Sequence, residues 1–184
     1  MYYLKIIIFS IISVSHSSPL MGLDVFQEKN FQLIQGKNVG LVINHTSLNK
    51  DGKHILDLLL SYEQINIKSI FTPEHGLQGN VAAGEKISDT FSKEFDIQII
   101  SLYGKKKEPE LNEIKDLDYI IFDIQDVGSR YYTYISTLTY ILNAASKAHI
   151  PIIILDRPNP LGRKTEGPII DLQYYFFKYK HSAW

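Results

Sequence analysis

Asp118-Tyr119-Ile120-Ile121-Phe122-Asp123-Ile124-Gln125-Asp126-Val127-Gly128-Ser129-Arg130 runs from an apolar core into acids, an amide, a glycine and a cation. An apolar run without polar alternation suits a strand covered on both faces, as in a parallel sheet. The spacing changes immediately afterwards. Tyr131, Tyr134, Ile135, Leu138, Ile141, Leu142 and Ala145 recur at helical intervals, which predicts a helix over about Arg130 to Ala148 with Ser129 as its N-cap. A second β-rich run, Pro151 to Asp156, follows. Strand, helix and strand in that order form a crossover unit, which is right-handed and makes its two strands parallel.

Working upstream, Asn38 to Asn44, Ile67 to Thr72 and Ile97 to Leu102 read as three earlier strands, and Asp51 to Tyr62 has helical spacing. The expected fold class is α/β, a mainly parallel sheet with helices on both faces. The carboxyl end of every strand carries polar residues. Asn44, His45 and Thr46 follow the first, Glu74 and His75 the second, and Tyr103 and Gly104 the third. Asp123, Gln125 and Asp126 close the fourth, and Asp156, Arg157 and Asn159 the fifth. In a parallel sheet these ends share one edge, where open α/β folds bind ligands.

Bulk properties narrow the class. At 184 residues the chain holds one ordinary domain, and its net charge of -1 offers no basic surface for nucleic acid. With no cysteine there are no disulfides, thiolate metal sites or cysteine nucleophiles. Lys5, the apolar run Ile6 to Val14 and Ser15, Ser17 and Ser18 have the order of a signal peptide over residues 1–18, hence a periplasmic or secreted product. The alternatives are a buried first strand or a true start at Met21. No later segment is apolar enough for a membrane span. Neither a Gly-x-Gly-x-x-Gly turn nor a Walker loop follows the first strand, so no nucleotide is implied and no cofactor is expected.

Each polar segment has a chemical and a plainer reading. In Pro73-Glu74-His75-Gly76, a carboxylate beside an imidazole and a permissive glycine suits general acid or base work; a capped turn is the alternative. Glu85 in Gly84-Glu85-Lys86 is either a second carboxylate or half of a solvated pair. Arg130 at a helix start is suited to an anion, while Asp126 or Ser129 caps the helix. Pro158 and Pro160 stiffen the loop around Asn159, for substrate positioning or a chain reversal. His45, His75 and Asp123 have the donor types of a metal site, although their spacing does not demand one.

Together these segments resemble one family. Asn44-His45-Thr46-Ser47, Pro73-Glu74-His75-Gly76 with Gly79, Ala83-Gly84-Glu85-Lys86, Ser101-Leu102-Tyr103-Gly104, Phe122 to Gly128 with Arg130, Tyr132-Thr133-Tyr134, Asp156 to Gly162 and Glu166-Gly167-Pro168 match the motifs of the exo-β-N-acetylmuramidases in order. The resemblance runs from about Gly22 to Pro168. It implies a Rossmann-like amino-terminal domain, a second α/β domain across a cleft, and release of β-1,4-linked N-acetylmuramic acid from non-reducing ends of peptidoglycan fragments. It makes Glu74 the catalytic acid/base. For the second participant Glu85, Asp123, Asp126 and the substrate's acetamido group are all candidates. The expected substrate contacts are Asn44, His45, His75, Gln125, Asp126, Arg130, Tyr132, Arg157 and Asn159, with Arg130 or Arg157 on the lactyl carboxylate and Arg130 preferred for the helix start beside it.

Family members are about twice as long. The expected division is therefore a signal peptide at 1–18, the Rossmann-like domain at 19–170 and a divergent tail at 171–184. The second domain would be absent or encoded separately. Two rivals follow: a metal-dependent hydrolase or deacetylase built on His45, His75 and Asp123, and an inactive muropeptide-binding remnant.

Overall fold

The computed structural model describes residues 20–79, 89–93 and 95–167. The expected signal peptide, the tail from residue 171 and Glu85 lie outside these residues.

Six strands form one sheet: β1 (Asn38–Ile43), β2 (Asn66–Thr72), β3 (Thr90–Ser92), β4 (Ile97–Ser101), β5 (Tyr119–Asp123) and β6 (Ile152–Ile154). Their order is β3-β4-β2-β1-β5-β6. All pairings are parallel except β3 on β4. The sheet grows outward from β1 through β2 to β4, then resumes on the other side of β1 with β5 and β6. This is Rossmann-like topology, and the direction of growth reverses between β1 and β5, the kind of switch point beside which open α/β sheets bind ligands.

Pleating sends alternate side chains to opposite faces, and each face has its own core. Val39, Leu41 and Ile43 of β1, with Ile121 of β5, pack with α1 (Gly22–Glu28) and α2 (Ile55–Leu60). Val42, Phe71, Ile100, Ile120 and Phe122 pack with α3 (Leu111–Ile114) and α4 (Tyr134–Ala148). The expectation of helices on both faces is met.

Several local expectations need correction. The helix expected from Arg130 begins at Tyr134, preceded by Thr133 instead of Ser129. Tyr132 N–H donates to the Ser129 carbonyl in a turn, and Tyr131 is 95 % exposed, so its place in the helical pattern was accidental. The helix expected from Asp51 to Tyr62 shrinks to Ile55–Leu60. His54 caps its start, because its Nδ1 accepts the Leu56 N–H, while its Nε2 contacts the Asn44 carbonyl at 2.9 Å. β3, α1 and α3 were not foreseen.

Phe71 is fully buried between β2 and the α3/α4 layer, whereas Phe91 on edge strand β3 is 56 % exposed. Phe71→Ala should cost about 3–5 kcal/mol in denaturant unfolding. Phe91→Ala should stay within about 0.5 kcal/mol of the parent. Equal losses would contradict this layer assignment.

Candidate active site

The switch point lies between β1 and β5. Ile43 pairs with Asp123, so Asn44 leaves its strand beside the start of the β5 loop. Asn44 is fully buried, and its Oδ1 accepts from Thr46 N–H at 2.9 Å and Thr46 Oγ1 at 2.6 Å. Thr46 Oγ1 in turn accepts the Gln125 N–H at 3.0 Å, and Ser47 Oγ donates to the Asp123 carbonyl. These bonds orient the Asn44 amide, whose Nδ2 is buried without a well-aligned hydrogen bond among the described residues and faces the Tyr134 hydroxyl.

Asp123 and Arg157 meet beneath this network. Arg157 Nε donates to Asp123 Oδ1 at 2.6 Å and Nη2 to Oδ2 at 2.9 Å. Nη2 also reaches the Leu48 carbonyl at 3.0 Å. The Asp123 side chain has no exposure and that of Arg157 only 5 %. Burial pushes the Asp123 carboxyl above its ordinary value, opposed by Arg157 and, more weakly, by His54. Asp123, a candidate catalytic group, and Arg157, a candidate substrate contact, are thus paired with each other.

Gln125 ties two loops, since its Nε2 donates to the carbonyls of Asp126 at 2.7 Å and Pro158 at 3.0 Å. Asp126 Oδ2 accepts the Gly128 N–H at 2.8 Å, while its Oδ1 is buried without a hydrogen-bond partner among the described residues. Asn159 lies over Gly128, which has φ +72°, and a β-carbon there would sit 2.1 Å from Asn159 Oδ1. His45, although exposed, packs the same way on Gly79, which has φ +69° and where a β-carbon would sit 2.1 Å from His45 Nδ1. Only glycine combines that backbone with so close an approach. Arg130 is exposed, with Nη2 3.3 Å from the β-carbon position of Gly167.

Glu74 follows β2 and is half-buried. His75 beside it is held at φ +74°, a left-handed conformation that costs a non-glycine residue energy and clusters at functional sites. Glu74 lines two cavities. One, of about 360 Å³, is shared with Leu102, Tyr103, Lys107, Thr133 and Tyr140. The other, of about 280 Å³, is shared with His75, Tyr131, Tyr132, Thr133 and Tyr134. Thr133 Oγ1 lies 3.5 Å from Glu74 Oε2. Tyr132 and Tyr134 meet edge to face with ring centroids 6.0 Å apart. Burial raises the Tyr134 phenol above its ordinary value, with Tyr132, Glu74 and Asp126 adding to it against the Asn44 amide.

The structure thus joins Glu74, His75 and Tyr132 around cavities, and it links Asn44, Gln125, Asp126 and Asn159 in the supporting network. Among the described residues, no three His, Cys, Asp or Glu side chains converge as metal ligands, so His45, His75 and Asp123 do not form one group. No helix among these residues is long and apolar enough to cross a membrane. Thr133, Tyr134 and Lys107 were not singled out from the sequence as site residues. The first two stand in the quoted Tyr132-Thr133-Tyr134 motif, while Lys107 sits in a lysine run that gave no signal.

Comparison with known proteins agrees with this architecture. The family described as "Exo-beta-N-acetylmuramidase NamZ, N-terminal" matches residues 39–182, past the Pro168 limit of the resemblance read from the sequence. The peptidoglycan beta-N-acetylmuramidase NamZ of Bacillus subtilis is 38 % identical over 157 residues, which cover 85 % of this chain but 38 % of that protein. Two crystal structures of DUF1343 family proteins from Bacteroides fragilis are also similar. One has TM-score 0.74 and 36 % identity, covering 84 % of this chain and 39 % of the other. The second has TM-score 0.70 and 35 % identity, covering 86 % and 40 %. This chain therefore spans about two fifths of the length of these relatives, and it belongs to the exo-β-N-acetylmuramidase NamZ family through that family's amino-terminal domain.

Proposed function

We propose that this domain is the acid/base-bearing half of a glycosidase that releases terminal β-1,4-linked N-acetylmuramic acid from the non-reducing ends of peptidoglycan fragments. The observation that carries the reading is Glu74 on a wall common to two cavities. A general acid must reach the oxygen between two sugars, and a carboxyl with space on either side is suited to that. The substrate class comes from the Bacillus relative, a peptidoglycan β-N-acetylmuramidase by name.

In this reading Glu74 protonates the glycosidic oxygen as the bond to the anomeric carbon breaks. Water then adds to that carbon and returns a proton to Glu74. The positive charge developing on the ring needs a partner. Asp126 is suited, because one oxygen is anchored by Gly128 N–H and the other has no hydrogen-bond partner among the described residues. The substrate's acetamido group and Glu85 remain the alternatives. Asp123 has both oxygens engaged by Arg157, which favours a scaffolding role. A second domain closing the cleft, and export guided by residues 1–18 to the periplasm or beyond, belong to the same proposal.

Glu74→Gln should lower turnover of a chromogenic β-N-acetylmuramide about 10²-fold or more while ligand affinity is retained. The assay uses the chain alone or joined to a relative's carboxyl-terminal domain, and near-normal turnover removes Glu74 from the role. Asp123→Ala leaves a buried guanidinium unpaired and should cost about 3–5 kcal/mol in chemical denaturation. Removing both partners should cost less than the two single losses added together. Additive losses would mean that the pair does not act as a unit.

A further inference from the structure

Lys105, Lys106 and Lys107 follow Gly104 in the loop after β4, and their surroundings differ. The Lys106 ammonium pairs with Glu113 and lies 3.4 Å from Asp89. On the other side, Glu108 pairs with Lys147 of α4. Pro109 is buried. These contacts flank Lys107, and Lys107 itself lines the larger cavity with Glu74.

Neither Arg130 nor Arg157 lines either cavity. We propose that Lys107 is a specificity residue, whose ammonium holds the lactyl carboxylate that distinguishes N-acetylmuramic acid from N-acetylglucosamine. The inference rests on the muramidase reading above and adds to it how the terminal sugar is oriented.

The cavity's composition fits one such ring. Its volume of about 360 Å³ falls within the usual range of small-molecule sites. Tyr103, Tyr140 and Leu102 offer apolar surface to the C–H faces of a sugar, and Ser136 and Thr137 offer hydroxyls to its polar groups. A carboxylate in this space would be repelled by an ionised Glu74 and attracted by Lys107. A Glu74 that enters the reaction as acid carries its proton and exerts no such repulsion. The two side chains then define a direction, with the scissile oxygen at Glu74 and the lactyl group at Lys107.

The test measures binding of three methyl β-glycosides to the chain by calorimetry: those of N-acetylmuramic acid, its methyl ester and N-acetylglucosamine. The wild type should bind the acid about 10- to 100-fold more tightly than the ester, the usual range for a charge-assisted hydrogen bond. Lys107→Met should bring that ratio close to one, and Lys107→Arg should largely keep it. A general loss of structure would weaken acid and ester alike, so the ratio separates charge recognition from folding. An unchanged ratio in Lys107→Met, or its collapse in a folded Lys107→Arg, overturns the proposal, as does a wild type that does not distinguish acid from ester. Those outcomes leave the muramidase reading standing. A wild type that binds none of the three glycosides removes both.

Discussion

The guanidinium of Arg157 and the carboxylate of Asp123 meet in two hydrogen bonds at the end of β5, with almost no solvent contact. Taking two charges out of water is costly, and their attraction does no more than offset that cost when the geometry is good. The gain lies in arrangement. Arg157 also holds the Leu48 carbonyl, and Ser47 donates to the Asp123 backbone, so the loops after β1, β5 and β6 converge on one point. If one partner were lost, the other charge would stay buried, and all three loops would lose their common anchor.

That anchor lies at the point where the sheet changes its direction of growth, and the polar network above it inherits the order. Thr46 links Asn44 to Gln125, and Gln125 reaches the Pro158 carbonyl. Asn159 closes onto Gly128, and His45 onto Gly79, at contacts that leave no room for a β-carbon. A site built in this way has little freedom to rearrange around a ligand. Preorganised polar groups of this kind are what a developing charge requires, because they need not reorient during the reaction.

Glu74 stands apart from that network and is carried by β2. Its neighbour His75 is held in a left-handed conformation, a local cost borne where the chain turns sharply beneath two cavities. The helix expected at Arg130 begins four residues later, and this shift is functional in the proposed reading. Residues Tyr131 to Tyr134 are freed to form the wall that faces Glu74. A helix extended back to Arg130 would have used those backbone groups internally.

The sequence by itself determined the five parallel strands, the longest helix and the edge on which the polar residues gather. Those features are local, because an apolar run, a helical period and a polar strand end are each legible within about ten residues. The place of Glu74 was legible for the same reason, since it comes directly after a buried strand. β3, α1 and α3 have three, seven and four residues, too few for a period to emerge. The start of α4 was misread because Tyr131 matched the helical pattern while standing in solvent. Only the tertiary structure decided which polar residues are partners. Asp123 and Arg157 are 34 positions apart, and Thr46 and Gln125 are 79 apart. The strand order brings them together, and no local pattern encodes that order. The same long-range packing left Arg157 buried against Asp123 and turned Lys107, from a lysine run that carried no signal, toward the cavity at Glu74.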